Sequence, residues 1–490
     1  MGIRIIENLL IIYYLCYFLI DWLFFLIFLA KVKREKCALS ADDAFAEYPV
    51  SVLVPAYNEE VTIVASVQML LALDYPDYEV IVINDGSGDG TLSTLMAAFE
   101  PRKIAETRWQ GMITDSIVTQ PVKDVYTAMD GKLIIIDKVN GGKADAINVG
   151  INLSQKPLVC TIDADSVLDN QALKQTVQPM VDDATVFVSG GQLAVANGVS
   201  LKNNRVVNSV LPKNPWVQWQ IIEYMKSFMI ARYSMSKLNS IMIMSGAFSV
   251  YKRTDLSTVG GFLTQRNTSP YIREIGAAGR QTVCEDMEIV VRLWRYFYSQ
   301  GKKARAVFLP HPVCWTEVPD NPGFLLRQRN RWHRGLAETL KIHRSLLFDP
   351  AYRAIGLFAY PYYLFFELLA PIIKIGTVGF LLYAGINGYF NKSWMLLATL
   401  FASAASALIT CLATIFVEQW TSKKQLASYD ALRYKTGWDW LRLVLMSIWG
   451  GVVYAPFRIY AQIQGLKDFL IKKNEWYKFA RTGFGDKEEN

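Results

Sequence analysis

The sequence is poor in the side chains that most often bind zinc or transfer protons near neutral pH. Its 490 residues include only three histidines and six cysteines. The histidines show no triad or ligand spacing, and the cysteines lack close pairs and metal-binding motifs. We therefore predict that the histidines are structural or interfacial, and that the chain has no disulfide and no zinc site. These residues are His311, His333 and His343, and Cys16, Cys37, Cys160, Cys284, Cys314 and Cys411.

Charged residues are also scarce, at 19% of the chain, and the formal net charge is +7. The basic residues concentrate beside long apolar runs, at 31–36 and 327–344. Such positions suit the headgroups of a lipid bilayer. We therefore predict a membrane surface as a partner and exclude nucleic acid.

Long apolar runs are abundant. Hydrophobic residues form 52% of the chain, and the mean hydropathy is +0.18. Residues 5–30, 354–386 and 394–417 are each long enough to cross a hydrocarbon core of about 30 Å. The first run is too long for a secretory signal, so we predict a retained helix, and the basic run KVKREK after it indicates a cytosolic domain next. The other two runs predict a transmembrane hairpin.

The apolar run at 441–463 is ambiguous. It is long enough to span, yet a basic tail follows it, which contradicts the positive-inside tendency if the run crosses once. It is either a re-entrant or interfacial element, or a span with an exceptional tail. Three charged residues also lie inside apolar runs. They are Asp21, Glu367 and Lys374. Asp21 requires a polar path, a partner or a position near the membrane surface. Glu367 lies between Pro361 and Pro371, which predicts a kinked helix that lines a channel.

Residues 45–320 have the pattern of an α/β domain. Short β-branched runs at 50–54, 79–83, 133–136 and 158–162 alternate with helical patterns. Such runs predict a mostly parallel sheet covered on both faces. The predicted organisation is a transmembrane helix with a basic flank (1–36), this cytosolic domain (45–320), interfacial helices (321–351), a transmembrane hairpin (352–420), a cytosolic interfacial segment (421–440), a last transmembrane or re-entrant helix (441–470) and a basic tail (471–490).

Polar residues stand at the ends of the predicted strands, where ligands bind in this architecture. PAYNEE follows the first strand, NDGSGDG the second, and Asp163-Ala164-Asp165 the fourth. Each alone resembles a common turn, but together they predict a nucleotide-sugar site. Asp163 and Asp165 suit Mg²⁺ or Mn²⁺ on a diphosphate, with Asp165 the first choice of ligand. Asp85 can hydrogen-bond the base or ribose, and the GGK turn lets Lys143 approach the phosphates.

Seven motifs follow one another along the chain: PAYNEE, NDGS, GGKADA, Asp163-Ala-Asp165, SGA, CED and QRNRW. Together they resemble the processive inverting members of glycosyltransferase family 2. These members are the cellulose, chitin, hyaluronan and poly-N-acetylglucosamine synthases. The likeness covers roughly 50–335, and the Q-x-x-R-W form is its most specific element. It implies a GT-A type domain between transmembrane helices in the plasma (inner) membrane of a bacterium. The architecture is most similar to poly-β-N-acetylglucosamine and hyaluronan-like synthases.

The resemblance also implies roles for individual residues. Asp286 is then the general base, and Glu285 lies beside it on the acceptor side. Donor binding is implied for Ala56, Tyr57, Glu59, Asp85, Lys143, Asp163, Gln328 and Arg331. Acceptor binding is implied for Ser245, Gly246, Ala247, Glu285 and Trp332. The metal ligands are implied to be Asp165 and Asp163.

These roles predict a polymerase that takes a UDP-sugar, lengthens a β-linked polysaccharide and exports it. A non-processive transferase making a short glycolipid, and a non-catalytic export scaffold, are the alternatives. Residues 262–283 form a longer segment than the family pattern leads us to expect, which suggests a gating or specificity loop. The chain lacks an F-x-V-T-x-K gating loop, so we do not expect direct regulation by a cyclic dinucleotide within the chain, and an accessory membrane or extracellular subunit remains open as a regulator. The sugar and the linkage stay open.

Overall fold

The computed structural model describes residues 2–33, 39–202, 205–389 and 437–472, with a few positions between 408 and 416. Its strands are β1 (Val50–Ala56), β2 (Tyr78–Asn84), β3 (Arg102–Lys103), β4 (Val122–Ala128), β5 (Leu133–Lys138), β6 (Leu158–Ile162), β7 (Ser166–Leu168), β8 (Val186–Val195), β9 (Val199–Lys202), β10 (Arg205–Ser209), β11 (Phe248–Lys252) and β12 (Arg305–Thr316).

The α-helices are α1 (Gly2–Val32), α2 (Asp42–Ala46), α3 (Ile63–Leu71), α4 (Thr91–Phe99), α5 (Glu106–Gln110), α6 (Lys143–Leu153), α7 (Ala172–Asp182), α8 (Pro215–Glu223), α9 (Arg232–Lys237), α10 (Arg253–Thr258), α11 (Pro270–Glu274), α12 (Glu285–Ser299), α13 (Pro322–Ile342), α14 (Tyr360–Tyr362), α15 (Ala370–Ile386), α16 (Gly437–Val452) and α17 (Tyr454–Leu470). Three π-helical segments, Tyr224–Ala231, Ile355–Ala359 and Tyr363–Leu368, continue or precede helices of this set.

The predicted α/β fold is confirmed. Ten strands form one sheet in the order β3-β4-β5-β2-β1-β6-β11-β8-β12-β7. The four predicted runs are its central parallel strands β5, β2, β1 and β6, whereas β11 runs antiparallel to both of its neighbours. Every residue of β2 is buried, as continuous apolar runs in a doubly covered sheet require.

Close packing holds α6 against this sheet. A Cβ at Gly150 would lie 2.9 Å from the methyl groups of Leu53, so only glycine lets the helix come this near to β1. The turn before α6 has Gly142 at φ +86°, a conformation that other residues rarely adopt. Together these glycines place Lys143, the first residue of α6, at the carboxyl edge of the central strands.

Among the described residues, α1 alone is by itself long and apolar enough to cross a membrane. Two bent pairs reach the same standard only when each is counted as one span: 355–368 with α15, and α16 with α17. The Tyr14 hydroxyl of α1 lies 3.1 Å from the Thr377 hydroxyl of α15, so the N-terminal helix packs along the first bent pair. Asp21 of α1 has a partner, since it pairs with Lys226 at 2.8 Å.

Both bends fall in segments that the sequence marks as irregular. The first pair bends by 49° next to Glu367, where Pro371 in the first turn of α15 cannot donate a backbone hydrogen bond. The run at 441–463, for which the sequence leaves a span or a re-entrant element open, falls on two helices, α16 and α17, bent by 50° at Val453. Most of the predicted span 394–417, of the 421–440 segment and of the tail 471–490 lies outside the described residues.

Candidate active site

The loops that follow β1 and β2 are joined by hydrogen bonds. The Asn58 amide donates to the Ser87 hydroxyl at 3.0 Å, and the Glu59 amide donates to the Thr91 hydroxyl at 2.8 Å. Asn58 takes φ +55°, a conformation that asparagine tolerates better than most residues. The predicted donor residues Ala56, Tyr57 and Glu59 therefore belong to one braced loop, and all of them line the same cavity.

Asp85, at the end of β2, is buried and saturated with donors. Its carboxylate accepts hydrogen bonds from the amides of Gly141 and Gly142, at 2.9 and 2.8 Å, and pairs with Lys138 at 2.5 Å. Lys138, which is fully buried, also pairs with Asp145 at 2.7 Å. Asp85 thus fixes the glycine turn that leads to α6. Sequence reasoning missed Lys138, because a lysine ending a strand resembles a surface residue.

Lys143 bridges the two sides of the site. Its ammonium lies 2.6 Å from Asp163, beyond β6, and 3.2 Å from Glu285, the first residue of α12. Although burial opposes it, the pKa of Lys143 is raised, chiefly by these carboxylates. The ammonium also donates to the Gly246 carbonyl at 3.2 Å. A fixed cation therefore lies between the predicted donor and acceptor residues.

Asp286 stands in the first turn of α12, where a helix N-terminus suits a carboxylate. Its Oδ2 accepts a hydrogen bond from the Gly246 amide at 3.0 Å. Burial, followed by the charge of Glu285, raises the pKa of Asp286 to about 6. A carboxyl group with that pKa is ionised near neutral pH yet basic enough to accept a proton. Arg232 of α9 also acts electrostatically on it, a residue that the sequence did not single out.

The Ser245-Gly246-Ala247 segment borders the same space. A Cβ at Gly246 would lie 3.1 Å from the Lys143 ammonium and 3.2 Å from the Asp286 carboxylate. A side chain there would crowd both groups, which explains the glycine. Ser245 and Ala247, on either side of it, also line the cavity.

The QRNRW motif lies within α13, and Gln328, Arg331 and Trp332 all line the cavity. The Trp332 ring centroid is 5.7 Å from that of Phe228 and 4.1 Å from the Arg329 guanidinium carbon. That contact is within the range of a cation–π interaction. The indole is therefore held between two neighbours at the wall of the cavity.

Helices α12 and α13 approach closely where their motifs meet. The Cys284 thiol lies 3.8 Å from the Trp332 carbonyl, and a Cβ at Gly335 would overlap the Cys284 sulfur. Further along, Glu288 of α12 is fully buried with His343, whose Nε2 lies 3.1 Å away. Burial works against ionisation, but Arg292 and His343 outweigh it and lower the pKa of Glu288 to about 2. These contacts hold Asp286 and Trp332 on a rigid pair of helices, and they give His343 the structural role predicted for it.

The carboxylates beyond β6 fit a divalent cation that shares its coordination with substrate. Asp165 is buried, and Asp163 lies beside it on the cavity wall. Among the described residues, no group of three or more His, Cys, Asp or Glu side chains is arranged to hold a metal. One or two carboxylates are nevertheless enough for Mg²⁺, which usually completes its shell with water and phosphate oxygens.

A single large cavity joins these groups. Its volume is about 3420 Å³, and its wall passes from Asp85 and Lys143 to Asp286 and then to Trp332. It continues between α1 and the first bent pair, where Glu367 lies on its wall. The residues predicted for donor binding, acceptor binding and catalysis are thus brought together, and the charged residues of the apolar runs face the same space.

Two sequence models of known families match the chain. The model "Glycosyl transferase family 2" matches residues 51–111, and "Glycosyltransferase like family 2" matches residues 118–335. Between them they include the motifs from PAYNEE to QRNRW, apart from a short gap.

Similar proteins of known or assigned activity are also glycosyltransferases. The poly-beta-1,6-N-acetyl-D-glucosamine synthase of Staphylococcus epidermidis is 29% identical over 293 residues, which are 59% of this chain and 55% of that protein. The chain thus spans about half the length of that synthase. The probable glycosyltransferase YdaM of Bacillus subtilis is 24% identical over 448 residues, covering 88% of this chain and 86% of the relative.

A solved structure has a similar fold. A mannosyltransferase of Pyrobaculum calidifontis, in complex with GDP-Man and Mn²⁺, matches with a TM-score of 0.53 and 19% identity. The match covers 96% of this chain and 100% of the other. At this identity the likeness concerns the fold, a glycosyltransferase sheet with associated helices.

Proposed function

We propose that this chain, which belongs to glycosyltransferase family 2, is a processive inverting transferase that lengthens a β-linked polysaccharide and exports it. The observation that carries this proposal is the continuous cavity. It links the strand-end carboxylates to Trp332 and then to the apolar helices α1 and α15. A transferase that released its acceptor after one addition would have no need of a cavity that reaches the apolar helices.

Asp286 is the base in this proposal. Its carboxylate takes the proton of an acceptor hydroxyl, whose oxygen forms a bond to the anomeric carbon of the donor. The bond from that carbon to the diphosphate breaks on the opposite face, and the nucleoside diphosphate leaves with the electron pair. An α-linked donor then gives a β linkage. Lys143, which now pairs with Asp163 and Glu285, is placed to balance the charge of the diphosphate.

The donor is proposed to be a UDP-sugar, with N-acetylglucosamine the first sugar to test. Support comes from the printed activity of the Staphylococcus epidermidis synthase, aligned over 59% of this chain. Asp165 and Asp163 would hold Mg²⁺ or Mn²⁺, which would neutralise charge on the leaving diphosphate. The mannosyltransferase of similar fold was solved with Mn²⁺ and a GDP-sugar, so the base of the donor is part of the test.

The protein is proposed to lie in the plasma (inner) membrane as a multi-pass protein with its catalytic domain in the cytosol. Support comes from the length and apolarity of α1 and the two bent pairs, and from the basic residues after α1. The growing polysaccharide and the bilayer are then its partners. The site residues described above form one wall of the cavity, which suits an acceptor moving from cytosol to membrane.

The decisive experiment supplies the full chain, in lipid nanodiscs, with radiolabelled UDP- and GDP-sugars and either Mg²⁺ or Mn²⁺. We expect one UDP-sugar to give nucleotide release together with long product, and linkage-specific glycosidases then identify the bond. If the only product is a short glycolipid, the protein transfers single sugars and is not a processive polymerase. No transfer from any donor, with a folded protein, would contradict an enzymatic role.

A further inference from the structure

A largely buried carboxylate outside the family motifs joins three elements. Glu223, the last residue of α8, accepts a hydrogen bond from Arg329 of α13 at 2.5 Å. It also accepts from the Tyr454 hydroxyl at 2.7 Å and from Arg458 at 3.0 Å, both on α17. The Glu223 side chain is 11% exposed. Burial disfavours its charge, but Arg329 and Arg458 outweigh this, so the pKa of Glu223 is lowered.

Arg329 transmits this contact to the predicted acceptor site. Its guanidinium carbon is 4.1 Å from the centroid of the Trp332 ring, one turn further along α13. It also donates to the side-chain carbonyl of Gln328 at 3.1 Å. One arginine therefore touches both the first and the last residue of the QRNRW motif. Its own position depends on Glu223, the only carboxylate among the described residues with which it pairs.

Glu223 also directly precedes the segment that carries the second neighbour of the indole. The π-helical segment Tyr224–Ala231 begins directly after it and carries Phe228, whose ring centroid is 5.7 Å from that of Trp332. The two groups that hold the indole in place, Arg329 and Phe228, thus both connect to Glu223.

The C-terminal helix pair is packed firmly enough to serve as the anchor. A Cβ at Gly465 of α17 would lie 2.6 Å from the Asn330 carbonyl, so the two helices touch backbone to backbone. The Asn330 side chain donates to Asp468 at 2.9 Å. The Tyr454 ring stacks on Trp219 of α8, with centroids 5.6 Å apart. Helix α17 is therefore fixed to both α8 and α13.

We propose that Glu223 is a positioning residue for the acceptor. By holding Arg329 against α17, it fixes the plane of the Trp332 indole and so sets how long a growing polymer is retained. This rests on the proposed function, in which Trp332 stacks on the acceptor sugar. It makes the C-terminal helix pair a determinant of product length, although that pair lies outside the segments that the family models match.

The test is a Glu223→Gln variant of the full chain in nanodiscs, given radiolabelled UDP-N-acetylglucosamine or whichever donor the wild type uses. Product length in a processive reaction is the ratio of the transfer rate to the release rate. Glutamine keeps the shape but leaves Arg329, which is buried, and Arg458, which is partly exposed, without their shared anion. We expect mean product length to fall about tenfold, equivalent to about 1.4 kcal/mol in acceptor retention. The KM for the donor should stay within about twofold, because Glu223 is not among the residues predicted to bind the donor.

Two further variants keep the test decisive. Tyr454→Phe removes one hydroxyl from Glu223 and should shorten the product by about threefold, as one neutral donor contributes less than a charged one. Asp468→Ala is the matched control, because it disturbs the same α13–α17 interface through Asn330 and not through Arg329. We expect its product length to match the wild type. If Glu223→Gln does not fold, Tyr454→Phe decides.

The outcomes separate this inference from the proposed function. A wild type that makes no polymer contradicts processive synthesis itself. A wild type that makes long polymer, with Glu223 and Tyr454 variants whose products are equally long, overturns the role of Glu223 alone. Equal shortening by Asp468→Ala would also overturn it, because the effect would then belong to helix packing in general.

Discussion

The raised pKa of Asp286 predicts a specific pH dependence for transfer. A general base acts in its ionised form, so a pKa of about 6 means that activity is nearly full above pH 7 and falls as the pH drops through about 6. An ordinary aspartate would keep its activity to about pH 4. The acid limb should therefore lie about two pH units higher than for an unperturbed carboxylate.

Replacing this carboxylate should remove the reaction and leave the architecture intact. Asp286→Asn keeps the size of the side chain and an oxygen that can accept from the Gly246 amide. General bases contribute about 10²–10⁴ in rate, so we expect polymer formation to fall by about that factor while donor affinity stays nearly unchanged. Nucleotide release and donor binding, measured on the same preparation, separate these two effects.

Glu285 provides the sharper test of the electrostatic argument. Its charge is the second cause of the raised pKa of Asp286, after burial. Glu285→Gln removes that charge, so the acid limb should move to lower pH, whatever happens to the maximal rate. Asp115→Asn is the control, because Asp115 pairs with Arg253 and does not line the cavity. An acid limb that stays at the same pH in Glu285→Gln, or an Asp286→Asn variant with more than about a tenth of wild-type activity, would refute the reasoning.

Three further outcomes follow from contacts described above. Chelation of the metal with EDTA should stop nucleotide release. Asp165→Asn should raise the Mn²⁺ concentration needed for half-maximal rate at least about tenfold. If that concentration is unchanged, Asp165 is not a metal ligand. Arg292→Met leaves Glu288 buried without its main counter-charge, which lowers the free energy of unfolding by about 3–5 kcal/mol. Thermal unfolding should therefore begin at a markedly lower temperature. An unchanged unfolding temperature would contradict this. Gly465→Val forces the whole of α17 away from the Asn330 carbonyl, together with Tyr454 and Arg458, the partners of Glu223, whereas Asp468→Ala keeps that backbone contact. Gly465→Val should therefore shorten the product more than it slows the first transfer; a uniform loss of both would contradict that expectation.

The sequence predicted the centre of the fold well, and it singled out side chains that the structure brings together around one cavity, because both depend on local patterns. The four central strands begin within a residue of their predicted starts, since continuous β-branched runs leave few alternatives. Parallel strands bring their carboxyl ends to one edge, and this geometry gathers Asp85, Asp163 and Asp165 around one cavity.

What the sequence did not predict depends on long-range contacts. Glu223 lies in a mostly apolar helical stretch that carries none of the motifs, and its partner Arg458 is 235 residues away. Lys138 could be recognised as buried only once Asp85 and Asp145 were known to flank it. The bend at Val453 lies between Gly450-Gly451 and Pro456, but these residues alone did not decide between a single crossing and a bent pair. Periodicity is informative within one element, whereas these features arise between elements.

The π-helical segment between Glu223 and α9 has a consequence for how the chain tolerates change over evolution. A π turn accommodates about one more residue than an α turn, while the helix on either side keeps its direction. Losing one residue there would restore an ordinary α-helix and leave α9 facing the same way. A loss elsewhere in a helix turns everything beyond it by about 100°. Residues 224–231 are therefore a place where length can vary between descendants of one ancestor, altering the reach of Phe228 while the rest of the domain stays in register.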